Sequence, residues 1–415
     1  MNENGISRTQ EMRRLAIFFD ASAVSIIEAF ENARDLCRIL WIVGWSKDGT
    51  SQRTLSRFGE VVDVNGMTQD EAVSHIVTSA PDGVVVFNDA PITLAALVAS
   101  KLDLPFHTPH AARLLTDKLA QRVALRDAGL PVPVFASVRL TETEVSVPFP
   151  AVLKPRSGAG SRNTYRVENL EQVRALLRDH SSSDQFILEE WLMDQRTEHR
   201  LSSDIVSVES VVHRGQIDHV MVTGRFPFAP PFRETGSFVP SDLAPALYDE
   251  VCNLASAAVN ALDIRVGIVH TEIKVTPSGP RVIEVNGRLG GGIGALVSRI
   301  GGPRLKVVAM RLALGMDIEP ILAFDASRVA YFRWIVPPVW ATRFVNVTGV
   351  DALQNSPGVD EIHINLHPGQ AVDFRHGSWS GHALQVDGTV SSHSELLRLV
   401  GETIPSTIQI TWDGE

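Results

Sequence analysis

The chain has 415 residues, 44% hydrophobic and 21% charged, which suits a soluble globular protein of two to four domains or one large composite enzyme. Lys and Arg total 38 against 48 Asp and Glu, a net charge of −10. Wrapping a nucleic-acid backbone needs a basic surface, so generic nucleic-acid binding is excluded, although a local basic pocket for one phosphorylated ligand is not. Residues 1–12 are polar and expected to fray. The pattern then predicts strands at 15–19, 38–43 and 83–87 and helices at 22–36, 68–79 and 90–101. Strands alternating with helices imply an α/β region with a parallel sheet covered on both faces. FFDASAVS, not GxGxxG, follows the first strand, so a dinucleotide site is not read here.

A helix at 116–128 ends at Gly129 and Pro131. Beyond it the pattern becomes strand (148–155), Gly/Ser loop, strand (164–167), helix (169–178) and strand (186–192). Two alternating strands flank Arg214-Gly215 as a hairpin. A helix at 245–262 leads to a second hairpin at 266–287, and the rest is rich in short strands and turns. Two distant cysteines, Cys37 and Cys252, make neither a disulfide framework nor a zinc site and suggest a reducing cytoplasm. The longest uncharged apolar stretch, 90–100, is short of the roughly 20 residues a membrane span needs. The apolar run after Arg13-Arg14 stops at Asp20, short of the roughly 7–15 residues of a secretory core, so no signal peptide is read.

The segment from Lys154 to Thr164, KPRSGAGSRNT, is strand–loop–strand. It is not a P-loop, in which the lysine follows the glycines and opens a helix. Small residues Ser157, Gly158, Gly160 and Ser161 can lie over phosphates and donate backbone N–H groups. Lys154 can point at whatever the loop covers; an ordinary hairpin turn with a surface lysine is the competing reading. Lys118 is a second cation for a triphosphate, or a solvated helix lysine. The strand FILEEWL carries Glu189 and Glu190 on opposite faces. Glu190 with the backbone of Trp191 and Leu192 can read an adenine edge, or both acids are simply solvated.

The sharpest signal is GIVHTEIKVTPSGPRVIEVNGR, 267–288. With Thr276–Pro280 as the turn, Val275 pairs with Arg281, Glu272 faces Glu284 and His270 faces Asn286. A two- or four-residue loop would reverse the parity and separate the acids. Facing carboxylates repel, and a divalent cation relieves the conflict. Glu272, Glu284 and the Asn286 carbonyl are hard oxygen donors that suit Mg²⁺. Arg288 leaves the same strand and can clamp a phosphoryl group or a carboxylate.

Taken in order, Lys118, Lys154, the glycine loop, Glu189-Glu190, Glu272, Glu284, Asn286 and Arg288 resemble the ATP-grasp superfamily. VLKPRSGAGS, ILEEWL, HTEIK and VIEVNGRLGGG look most like its carboxylate–amine ligases, in particular L-amino-acid ligases that make dipeptides and carnosine-synthase-like enzymes. The resemblance covers nearly the whole chain. It implies an α/β (α+β) ATP-grasp fold. Residues 1–112 are a Rossmann-like pre-domain. Residues 113–325 are the ATP-grasp body, with a lid at about 118–188 and a core at about 189–325. Residues 326–415 are a β-rich C-terminal region.

The resemblance further implies ATP and Mg²⁺ (or Mn²⁺) as cofactors. Lys118, Lys154 and the loop would hold phosphates, Glu189 to Leu192 adenine, and Glu272, Glu284 and Asn286 the metal. Arg288 would support an acyl phosphate. Where the family places a ribose-binding acid, 194–204 reads as an expanded insert, and Asp204 is the candidate. In 224–243, Glu234 can pair with a substrate ammonium while Phe226, Phe228 and Phe232 shape its pocket; a flexible apolar lid is the alternative. His270 is either a proton acceptor or a structural side chain. The implied reaction joins an amino acid to an amine or second amino acid through an acyl phosphate, releasing ADP and phosphate. Competing readings are an ATP-grasp ligase for a non-amino-acid carboxylate and a non-catalytic ATP-binding regulator. The partners implied are small-molecule substrates, with no nucleic acid and no membrane; a homodimer is in line with the resemblance.

Overall fold

Continuous apolar runs in the N-terminal quarter form a parallel sheet. The computed structural model describes residues 12–21, 23–44, 52–141, 143–180, 185–195, 201–318, 327–379 and 381–414. Residues 1–11 of the stretch expected to fray, and 196–200 of the expected insert, lie outside the described residues. The chain groups into two compact units, residues 1–109 with 306–319, and residues 110–305 with 320–415.

In the first unit, β1 (Arg14–Phe18), β2 (Arg38–Val43), β3 (Glu60–Asp63) and β4 (Gly83–Val86) pair in parallel in the order β3-β2-β1-β4. The cores of β1, β2 and β4 are buried almost throughout, as expected for strands covered on both faces. Between them run α1 (Ile26–Ala33), α2 (Gln52–Leu55), α3 (Gln69–Thr78) and α4 (Ile92–Leu102). The helix expected at 22–36 is shorter because Ser25 caps it, accepting from the Glu28 N–H. Thr68 and Glu71 start α3 with a reciprocal capping box. The short strand β3 and the single-turn α2 carry too little pattern to stand out in the sequence.

The second unit opens with α5 (Pro109–Thr116) and α6 (Lys118–Asp127). One helix was expected at 116–128. The break falls at Asp117, whose extended backbone lets its carboxylate accept from the Leu119 and Ala120 N–H groups and cap α6. Strands β5 (Phe135–Val138), β6 (Ala151–Pro155), β7 (Tyr165–Val167) and β8 (Phe186–Glu190) form an antiparallel sheet, order β5-β8-β6-β7, backed by α7 (Leu170–Arg178).

Among the described residues the largest sheet has eight strands. They are β9 (Ile205–His213), β10 (Gln216–Arg225), β11 (Gly236–Val239), β12 (Gly267–Thr276), β13 (Gly279–Asn286), β14 (Val329–Ile335), β16 (Glu361–Ile364) and β17 (Leu384–Val390). Their order is β13-β12-β9-β10-β11-β14-β17-β16. One face packs Val206, Val208, Val222, Val269 and Val285 against α8 (Pro245–Ala261). The C-terminal strands therefore continue the sheet that holds the acidic hairpin; only β15 (Arg343–Thr348) and β18 (Gln409–Asp413) pair apart from it. The contacts group 320–415 with 110–305, where the sequence suggests a separate region from 326. Both cysteines are free thiols.

Candidate active site

The large sheet turns one apolar face to α8 and one polar face to a cavity of about 890 Å³. Register aligns the polar side chains in two rows. Ser207, Glu272 and Glu284 are neighbours across β9, β12 and β13, and Glu209, His270 and Asn286 form the next row. The hairpin reaches this register by an unexpected route. Its loop is the two residues Pro277-Ser278, closed by Thr276 opposite Gly279, so Val275 pairs with Pro280 rather than Arg281. That parity would separate the acids. A bulge opposite the Glu272–Ile273 step skips Ile283 and brings Glu284 back opposite Glu272.

Each acid is held by a cation. Lys118 Nζ lies 2.8 Å from Glu284 Oε1, and Arg225 Nη2 lies 3.0 Å from Glu272 Oε1. Burial would raise the Glu272 pKa, but Arg225 and then His270 outweigh it and hold it well below the carboxylate range, with Arg288 contributing. Deeper in the cleft, Glu189 is paired with Lys154 Nζ at 2.7 Å and Arg122 Nε at 2.8 Å. Burial opposes its ionisation; these two cations prevail and lower its pKa. Burial likewise pulls the Lys154 pKa below the lysine value, against the pull of Glu189.

The glycine loop roofs the cavity. Gly158, Gly160 and Ser161 all have positive φ, 125°, 68° and 56°, so the first two positions favour glycine. Lys118 Nζ donates to Gly158 O at 2.6 Å, and Ser157 Oγ donates to Thr116 O at 2.9 Å. A C-terminal segment meets the loop from outside: Ser378 N donates to Gly160 O at 2.9 Å, and a Cβ at Gly377 would fall 2.3 Å from that oxygen.

Glu190, Trp191, Leu192 and Asp204 line the cavity. Two groups expected at an adenine edge are engaged within the protein. The Glu190 carboxylate accepts from Val134 N at 2.9 Å, and Trp191 N donates to Pro150 O at 3.2 Å. The Trp191 ring packs 5.8 Å from Phe232, with the Arg166 guanidinium 4.7 Å above it. Phe228 and Phe232 line the cavity, whereas Phe226 packs on Phe238 in the core, against the expectation for it.

Glu234 lines the cavity and is bound by Arg225 Nη1 at 2.6 Å. His270, Asn286 and Arg288 do not line it. The His270 ring is enclosed, with Nδ1 2.5 Å from Glu209 Oε1 and Nε2 3.3 Å from Glu272 Oε1. Burial would lower its pKa; Glu209 and Glu272 overcome this and raise it to about 9. Arg225 Nη2 also lies 3.0 Å from His270 Nε2, where a guanidinium can only donate, so the ring is tied on both nitrogens to charged neighbours. Asn286 Nδ2 reaches His270 O at 3.4 Å, and Arg288 Nη1 donates to Leu289 O at 3.3 Å.

Sequence reasoning missed Arg122, Arg225, Glu209 and Lys274, the last lining the cavity with its Nζ 2.6 Å from Asp194 Oδ1. Glu209 had a signal: a carboxylate in the middle of the apolar strand IVSVESVVH, where it is 0% exposed. Arg122 and Arg225 had none, since each gains its partners from other elements.

Glu272 and Glu284 line the cavity as oxygen donors for a cation, and Asn286 lies in the adjacent row of the same hairpin. That two lysine or arginine heads already sit on the facing acids shows that the position demands positive charge, so the set fits a divalent ion. No group of three or more His, Cys, Asp or Glu able to hold a metal occurs among the described residues. A magnesium ion here would complete its shell from Asn286, water and phosphate oxygens.

The ATP-grasp domain family matches residues 115–292. That match covers less than half of the chain. An uncharacterised protein of Sinorhizobium fredii is 25% identical over 75% of this chain and 65% of its own length. Carnosine synthase 1 of Gallus gallus is 30% identical over 58% of this chain but only 28% of its own. The chain thus spans less than two thirds of these relatives. The crystal structure of an L-amino acid ligase from Bacillus licheniformis superposes with a TM-score of 0.78 at 18% identity, covering 98% of this chain and 100% of that one. The mixed α/β fold is that of ATP-grasp ligases, and the glycine loop, β8, β9 and the acidic hairpin all lie within the matched ATP-grasp domain.

Proposed function

We propose that the chain is an ATP-dependent carboxylate–amine ligase that joins an amino acid to an amine or a second amino acid. The observation that carries this reading is the pair of facing acids, Glu272 and Glu284, at the floor of a cavity roofed by the glycine loop. In this reading Lys118, Lys154 and the loop N–H groups hold the ATP phosphates. Glu272, Glu284 and Asn286 would hold a magnesium ion, which would supply neutralisation of the phosphate charge. A substrate carboxylate oxygen attacks the γ-phosphorus, the bond to the β-phosphate oxygen breaks, and ADP leaves. An amine then attacks the acyl carbon, phosphate departs, and the amine proton goes to solvent or phosphate. Arg288 supports the acyl phosphate and Glu234 receives a substrate ammonium. Positioning and charge neutralisation do the work, with no protein nucleophile. The loop excludes water, which would hydrolyse the acyl phosphate.

The reading assigns 1–112 as pre-domain, 113–325 as ATP-grasp body and 326–415 as C-terminal region. It places a homodimer in the cytoplasm, where two free thiols are at home. Among the described residues no helix is long and apolar enough to cross a membrane. The test is a panel of amino acids and other carboxylates with amines, read by phosphate release and product mass spectrometry. Amino-acid-dependent phosphate release with amide formation is the expected result. Turnover only with a non-amino-acid carboxylate would replace the substrate class, and nucleotide binding without turnover on any acid would refute the ligase.

A further inference from the structure

Arg225 ends β10 on the polar face of the sheet, two residues beyond Thr223, which pairs with Ser207 in the row of Glu272 and Glu284. It lines the cavity yet is only 5% exposed. Its guanidinium spans two sites: Nη1 holds Glu234 at 2.6 Å and Nη2 holds Glu272 at 3.0 Å. Nε finds no acceptor among the described residues, so the five-donor head is not locked on all sides. Glu234 belongs to the segment that would carry the acid substrate, and Glu272 to the pair that would carry the metal. A cation cannot bind Glu272 fully while Arg225 occupies the same oxygen.

We infer that Arg225 is a positioning residue that couples the two sites: it is the resident counter-ion of Glu272, and metal entry shifts it onto Glu234. The inference rests on the ligase reading insofar as that reading makes Glu272 and Glu284 the metal acids. Arg225 thereby competes with the metal, and Glu234 relieves that competition by drawing the guanidinium away. Metal loading then leaves the guanidinium on Glu234 Oε1, and the other oxygen of that carboxylate is the one left to a substrate ammonium. Lys118 stands to Glu284 as Arg225 stands to Glu272, but its second contact is the glycine loop rather than the substrate segment.

The test uses Mn²⁺ as probe on the purified full chain at pH 8 without nucleotide, with free Mn²⁺ read by electron paramagnetic resonance. Arg225→Met is expected to tighten Mn²⁺ binding about tenfold, because a competing buried cation is gone. Glu234→Gln is expected to weaken it, because Glu272 is then, among the described residues, the one carboxylate in direct contact with Arg225, beside the His270 ring at 3.0 Å. In the Arg225→Met background Glu234→Gln should have less than about a third of its single-variant effect in free energy, since the coupling passes through Arg225. Arg225→Gln replaces Arg225→Met if the latter does not fold. Equal effects of Glu234→Gln in both backgrounds, or unchanged or weaker Mn²⁺ binding without Arg225, would overturn the inference while leaving the ligase reading standing. Wild-type protein that binds no Mn²⁺ either alone or with ADP present, with Glu284→Gln indistinguishable from it, would overturn both.

Discussion

Glu284 is where the charge logic of the site can be read most directly. It faces Glu272 across the hairpin and is held by Lys118. Glu284→Gln keeps the shape and removes one negative charge. Turnover in the phosphate-release assay should fall at least about a hundredfold, with the far-ultraviolet circular dichroism unchanged; wild-type rates would remove Glu284 from the metal set. His382 gives a separate prediction away from the cavity. Its ring stacks on Trp334 at 4.7 Å, and burial depresses its pKa to about 4. The folded state therefore binds this proton less readily than the unfolded state, whose histidine titrates near 6.5. The stability it contributes is complete above about pH 6.5 and lost as pH falls toward 4, at no more than about 1.4 kcal/mol per pH unit. Denaturant unfolding at a series of pH values should show this slope, and His382→Gln should flatten it.

At the scale of elements, α6 governs the hairpin. Its first residue, Lys118, reaches Glu284, and one turn later Gln121 is buried against β13. Gln121 Nε2 donates to Val285 O at 2.9 Å and Oε1 accepts from Val285 N at 2.8 Å. Both backbone groups of the residue after Glu284 are thus satisfied by one side chain on a helix. Gln121→Leu fills the same space but leaves them unpaired, which costs about 1–3 kcal/mol for each buried group left so. The expected outcome is a lower denaturant midpoint together with weaker Mn²⁺ binding; a stability loss with unchanged metal affinity would mean that α6 does not set the position of Glu284. The hairpin itself shows how local features compensate. The two-residue loop and the bulge each reverse parity, and only together do they put the acids on one face.

At the scale of the molecule, the eight-stranded sheet joins segments far apart in the chain. Strand β14 pairs with β11, and β17 pairs with β14. Truncation after residue 325 would strip β14, β16 and β17 and expose the edge of β11, where Phe238 and Val239 are fully buried. An open apolar edge invites aggregation. We predict that such a chain is insoluble or lacks a cooperative thermal transition. A soluble, cooperatively melting product would show that the C-terminal region is independent after all.

The sequence by itself determined the elements and the chemistry of the hairpin. Apolar runs such as RILWIV, and the glycine, serine and carboxylate residues at 154–164 and 267–288, state their local geometry through burial period and turn chemistry. These are interactions between residues near in sequence, so one chain suffices to read them. The register of that hairpin escaped because a bulge leaves no mark in alternation. The partners of the acids escaped for a different reason. Arg225, Arg122 and Lys118 reach Glu272, Glu189 and Glu284 across 47, 67 and 166 positions of sequence, and pairing over such distances is decided only when strands and helices pack. Tertiary structure also decided the surroundings of His270, which is enclosed between Glu209 of a neighbouring strand and Arg225 of another.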